Sequence, residues 1–228
     1  MMRFLLVSLL VLGLGTPVLA NPQGLRVNGQ GVVESAPDMA VITIGASHQA
    51  GTARDAMAQV SKATTSILKQ LEKLGVAPAD MQTSDLSLSP VWDRNNNGGS
   101  SQRVVGYVAS NQLRVQVKDL QGLGEILDAV VQGGSNRMGG LQFALIDPRP
   151  AKDEARRLAV ADARAKAELY AQAAGVKLGA MLSLTEQGPV SARPEMMRAM
   201  ADAGSSVPIA EGELATTAMV EIVFEIIN

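Results

Sequence analysis

Residues 149–174 constrain the fold more than any other stretch of the chain. Ala155, Leu158, Ala165, Leu169 and Ala173 recur at helical spacing along one stripe, and Ala159, Ala163, Ala167, Tyr170 and Ala174 along the adjacent one. A long helix is predicted, and its apolar face is broad but shallow because most side chains in it end at Cβ. Such a helix lies close against a sheet or another helix. Asp147 is placed to cap its start with Pro148 in its first turn, and Gly175 ends it. Asp162 with Lys166 and Arg164 with Glu168 are opposite charges four residues apart, which adds a few tenths of a kcal/mol, roughly, per pair on a solvated face.

The rest of the chain alternates between strand and helix periods. Residues 25–34 read as a glycine-rich strand, and Ala36-Pro37-Asp38 as a turn into a second strand at 40–44, a hairpin signal with β-branched arms. Thr52 and Asp55 have capping-box spacing. Ala53, Met57, Val60, Ala63, Ile67, Leu71 and Leu74 follow at intervals of three or four, so 52–74 is an amphipathic helix stopped by Gly75 and Pro78. Leu86 and Leu88 alternate with serines, and Leu113, Val115 and Val117 alternate with polar residues, giving two strands with one wet face each. The turn formers over 95–101 mark an exposed loop tip between them. A second helix is predicted over about 120–132, then strands around Leu141–Leu145, Met181–Leu184 and Val220–Ile226.

The predicted class is therefore α+β in the order ββαββ-αβαββ: an antiparallel or mixed sheet, three helices packed on it, and a long surface insertion over 188–213 before the last strand. The first twenty residues carry one basic residue, Arg3, an apolar run from Phe4 to Leu14, and Val18-Leu19-Ala20 ahead of Asn21, which reads as a signal peptide cleaved after Ala20. Residues 21–228 are then one domain, or two subdomains at about 21–118 and 119–228. Losing Arg3 leaves 19 basic against 22 acidic residues, which gives no footprint for nucleic acid or an anionic membrane. With no cysteine, neither disulfides nor thiolate chemistry enters.

Catalytic and metal-binding patterns find little to build on. His48 is the single histidine, a turn or surface residue without a second one to form a metal site, and serine nucleophiles lack a histidine base and a G-x-S-x-G elbow. Gly29-Gln30-Gly31 leads into a second strand and lacks the third glycine of a phosphate cradle. Asp153, Glu154 and Asp162 lie among Arg156, Arg157 and Lys166, as on a charged solvated face. Met196, Met197 and Met200 cluster in the 188–213 insertion and read first as a short amphipathic turn covering apolar surface; because thioethers oxidise reversibly or bind Cu(I), the alternatives are an oxidation-sensitive loop or a copper site. No catalytic residue, cofactor or metal is assigned.

Several segments together carry a resemblance: Val27-Asn28-Gly29-Gln30-Gly31-Val32 with Pro37-Asp38-Met39-Ala40; Val105 through Val115; Gly134-Ser135-Asn136 leading to Phe143; and Ala159 to Gly175 leading to Leu178-Gly179. In their order and spacing the chain resembles the SIMPL domain family of bacterial envelope proteins. The resemblance implies a periplasmic or outer-membrane-associated protein, a link to oxidative-stress protection, ring-like self-assembly and no catalytic residues. The expected function is that of a non-enzymatic periplasmic protein that forms a homo-oligomer or binds a partner, contributing to oxidative-stress or envelope-stress tolerance. The alternative is an enzyme or binder of an unidentified small molecule with a dispersed site.

Overall fold

The computed structural model describes residues 24–93, 103–188, 190–195 and 209–227. The signal segment 1–20, the loop tip 95–101 and the Met196, Met197 and Met200 cluster lie outside them. In chain order the elements are β1 (Gly24–Ser35), β2 (Met39–Ala50), α1 (Ala53–Lys73), β3 (Met81–Trp92), β4 (Val104–Val117), α2 (Leu123–Gln132), β5 (Arg137–Ala144), α3 (Arg149–Ala174), β6 (Lys177–Glu186), β7 (Ser191–Glu195) and β8 (Glu213–Ile227). The α+β class is as expected, and the strands form two antiparallel sheets instead of one. One runs β1-β8-β6 with β7 also against β8, and the other runs β3-β4-β2-β5.

The expected β1–β2 hairpin does not form. β1 pairs along its whole length with β8, and β2 pairs with β4 and β5 in the other sheet. Pro37 brings no N–H to a ladder. Next to it, Asp38 ties the crossing to the link between β5 and α3, its N–H donating to the Ala144 carbonyl and its carboxylate accepting from the Ile146 N–H at 2.6 Å. Membership of the two sheets therefore does not follow a division near residue 118. Residues 39–144 build one sheet with α1 and α2, while β1 joins α3 and the last three strands in the other.

α3 covers the β1–β8 sheet, and its two ends fall where the alanine periodicity predicts. Its buried stripe is narrower than expected: Ala155, Ala159, Ala163, Ala167 and Ala171, every fourth residue, while Leu158, Leu169 and Tyr170 stand exposed. The cause lies across the contact. A Cβ on Gly29 would collide with the Ala159 carbonyl oxygen and lie 2.7 Å from the Ala163 Cβ, and one on Gly31 would collide with the Ala155 carbonyl and lie 2.8 Å from the Leu158 Cβ. Helix and strand backbones approach so closely that only Cα hydrogens on one side and methyls on the other fit. Val27, Ala218, Val220, Ile222 and Phe224 complete this core.

α3 also covers the outer edge of β1. Asp162 accepts the Gln30 backbone N–H at 2.8 Å and the Lys166 ammonium at 2.6 Å, and Lys166 donates in turn to the Asn28 carbonyl. Two ladder groups that would be open to another strand are thereby engaged. The Lys166 ammonium, and secondarily the Gln30 N–H, hold the Asp162 carboxyl below the usual carboxylate range. A depressed native pKa contributes stability that is complete above the unfolded value of 3.8 and is lost as pH falls through the native one. Urea midpoints at pH 7 and pH 3 are expected to differ less in Asp162→Asn than in the parent chain. Equal differences would mean that the carboxylate is no more ionised in the folded state than in the unfolded.

In the second sheet, α1 packs on β2 and β4, and α2 packs on α1. Ile42, Ile44, Leu113, Val115 and Val117 meet Ile67, Leu71, Ile126 and Val130, with Ile209 from the segment before β8 packed against them. The Thr52 side chain caps α1 by accepting the Asp55 N–H and donating to its carboxylate. α2 begins three residues later than the predicted 120, because the Asp119 carboxylate accepts the Gln121 N–H and holds 119–122 as a turn. At α3, Pro148 stands at the cap position instead of in the first turn, and Asp147, one residue before it, accepts the Arg149 N–H and guanidinium. Among its described residues the 188–213 insertion contains a strand, β7, that the sequence pattern does not announce.

Candidate interaction sites

Most of the residues singled out for chemistry in the sequence are used in the fold where they are described. Gly29-Gln30-Gly31 is interior to β1 under α3. His48 lies in β2 opposite Ala109, and no group of three metal-ligating side chains occurs among the described residues. Asp153 pairs with Arg156 at 2.9 Å, Glu154 with Arg157 at 3.1 Å, and Glu168 with Arg164 at 3.0 Å, all exposed. Besides Asp162, a lowered carboxyl is found at Asp147, caused first by the Arg149 guanidinium beside it. Such exposed ion pairs contribute little to stability.

Two features stand out against this background. The first is the pair of edges of the β3-β4-β2-β5 sheet. β3 is a 12-residue edge strand whose Leu86 and Leu88 are 57% and 45% exposed, although they lie opposite Asn111 and Ala109, on the face that α1 covers further in. At the other edge, Met138 and Leu141 of β5 lie opposite Ile44 and Ile42 on that same face and are 54% and 41% exposed. Each edge thus carries apolar side chains that α1 and α2 leave uncovered.

The second feature is a cavity of about 360 Å³ where β5 begins, lined by Thr43, Gln112, Asn136, Arg137, Met138 and Gly139. The β2–β5 register slips between Ile42 and Ile44, which brings Gly139 against Thr43. Gly45 stands between Gln112 on one neighbouring strand and Arg137 on the other. A Cβ there would strike the Asn111 carbonyl and lie 3.1 Å from the Gln112 Cα, so the position takes only glycine.

The corner leading into β5 is fastened to β2 by side chains. Ser135 Oγ, which is buried, donates to the Gly45 carbonyl at 2.9 Å and lies 3.1 Å from that of Arg137. Asn136 accepts the Ser47 N–H and donates to the Ser47 carbonyl, both at 2.8 Å, and its own N–H donates to Gly45. The Gly134-Ser135-Asn136 motif thus serves the backbone of β2. The cavity residues themselves, Thr43, Gln112 and Arg137, were not legible in the sequence, since they come from three separate strands and each is an ordinary strand residue.

Comparison with known proteins supplies the remaining finding. The model of the SIMPL family, described as a protein of unknown function (DUF541), matches residues 25–224. The 26 kDa periplasmic immunogenic protein of Brucella melitensis is 36% identical over 216 residues, covering 90% of this chain and 86% of that protein. The uncharacterized protein YggE of Edwardsiella ictaluri is 28% identical over 165 residues, 72% of this chain and 68% of its own, and YggE of Escherichia coli K12 is 25% identical over 189 residues, 80% and 76%.

Proposed function

Because the chain belongs to the SIMPL family, we propose that it is a non-enzymatic periplasmic protein that acts by self-assembly and contributes to oxidative-stress or envelope-stress tolerance. The periplasmic placement is supported by the name of the Brucella relative and by the signal-like first twenty residues. The stress role rests on the family resemblance.

The observation that carries self-assembly is the pair of uncovered edges. In the order β3-β4-β2-β5 with every pairing antiparallel, β3 of a second copy set beside β5 continues the sheet in the same antiparallel sense. Leu86 and Leu88 would then meet Met138 and Leu141 on the helix-covered face, removing four exposed apolar side chains from water. The contact is head-to-tail, so it repeats until it closes into a ring or extends as a filament. Neither edge is long in charge: β3 carries Asp85 and Pro90 as its only guards, and β5 carries Arg137.

Light scattering on the mature protein is expected to give a discrete high-order species, and Leu88→Lys to shift it to monomer with an unchanged circular dichroism spectrum. A strain carrying Leu88→Lys is expected to be as sensitive to peroxide as a deletion strain. A parent protein that runs as a monomer across micromolar concentrations would end the assembly reading. A deletion strain that tolerates peroxide and envelope stress like the parent would end the stress reading.

A further inference from the structure

From the cavity at the start of β5 we infer that the protein has a binding site for a small oxyanion, a carboxylate or phosphate group borne by a small molecule. The inference goes beyond self-assembly and does not depend on it. The residues lining the cavity include Arg137, Gln112 and Thr43, which carry a guanidinium, an amide and a hydroxyl. None of these three side chains has a hydrogen-bond or ion-pair partner among the described residues. On α3, by contrast, five of the six bases, Arg149, Arg156, Arg157, Arg164 and Lys166, are each matched with a carboxylate, Lys152 being the exception. A guanidinium offers a planar fork of donors and no acceptor, an amide and a hydroxyl offer one donor side each, and the complement of that set is an acceptor-only group with negative charge.

The strand positions that carry these donors are fixed by groups that are already spent. Ser135 and Asn136 direct their polar atoms onto the backbone of Gly45 and Ser47, so the start of β5 is held to β2 without using the Arg137 side chain. Gly45 leaves the row between Gln112 and Arg137 without a side chain, and Gly139 does the same over Thr43. The donors thus stand on strand positions whose backbone is held in place before any ligand arrives. Along the same row, Asp85 lies beyond Gln112 on β3, which limits the site to a ligand of low negative charge.

The test follows amide shifts of the mature protein in a nitrogen–proton NMR titration with sodium acetate and, separately, inorganic phosphate, at constant ionic strength set with chloride. Saturable shifts are expected at Gly45, Gly139 and Arg137, with affinity on the order of millimolar for so small a probe. Saturation by acetate alone assigns a carboxylate ligand, and saturation by phosphate alone a phosphate ligand. Arg137→Gln is expected to weaken binding by about tenfold or more, because it removes the charged fork, and Thr43→Val by a smaller factor. Both variants should keep the parent melting temperature, since neither side chain makes a bond in the fold. Arg54→Gln on α1 should bind as the parent does. Linear, unsaturated shifts with both probes, or an affinity that Arg137→Gln leaves unchanged, would overturn the site.

Discussion

Gly29→Ala is expected to lower the melting temperature of the mature protein by about 6–12 °C, the equivalent of roughly 3 kcal/mol in a chain of this size. A methyl group at this position meets the carbonyl oxygen of Ala159 and the backbone nitrogen of Ala163, the latter at 2.7 Å. Neither can swing away as a side chain would, so relief requires α3 to lift from β1. Lifting it opens the contacts of Ala155, Ala159, Ala163 and Ala167 together, all of them fully buried. The opposing benefit of replacing glycine, a less entropic unfolded chain, is worth only about 0.4–1 kcal/mol. Gly51→Ala provides the comparison, since a Cβ there meets nothing within 4 Å. It should melt at or slightly above the parent temperature, and an equal fall in both variants would remove the close approach as the cause.

Ile42→Ala should cost about 2–5 kcal/mol, the range for truncating a well-packed branched side chain. Ile42 is 1% exposed in the central strand of the second sheet, among Ile44, Val115 and the inner faces of α1 and α2. The location of the damage is as informative as its size. The two sheets have separate apolar clusters, and Val27, Ile222 and Phe224 belong to the one that Ile42 does not touch. Hydrogen exchange is therefore expected to accelerate in β2 and β4 of Ile42→Ala while amides of β1 and β8 keep most of their protection. Uniform acceleration through both sheets would show that they open as one unit.

Local pattern told what each segment is far better than what it pairs with. α3 was legible from end to end because its small residues recur at a single spacing, but which alanines face inward was decided by Gly29 and Gly31 more than a hundred residues away. The glycine-rich run at 25–34 and the β-branched run at 40–44 identified strands, yet proximity in sequence suggested a hairpin where the actual partner of β1 is the last strand. β7 escaped because it is five residues long and contains Pro194. The cavity escaped for a related reason. Gly134-Ser135-Asn136 was visible as a motif, but the atoms it secures belong to Gly45 and Ser47, and the donors it leaves open lie on three strands. Sequence spacing carries no trace of a site assembled across a sheet.

The pairing of β1 with β8 also sets an order of events during synthesis. Behind its first twenty-three residues an emerging chain presents β1, whose ladder partner among the described residues is β8 alone. Residues 39–144 follow and contain every strand of their own sheet together with both helices that cover it, so that half is able to fold while the remainder is still being made. β1 must wait through all of this as an open strand, with Gly29 and Gly31 bare until α3 and β8 arrive. The last residues to be made therefore close the structure around the first, and a nascent chain truncated before residue 213 would carry one finished sheet and three strands, β1, β6 and β7, without the strand they all pair with.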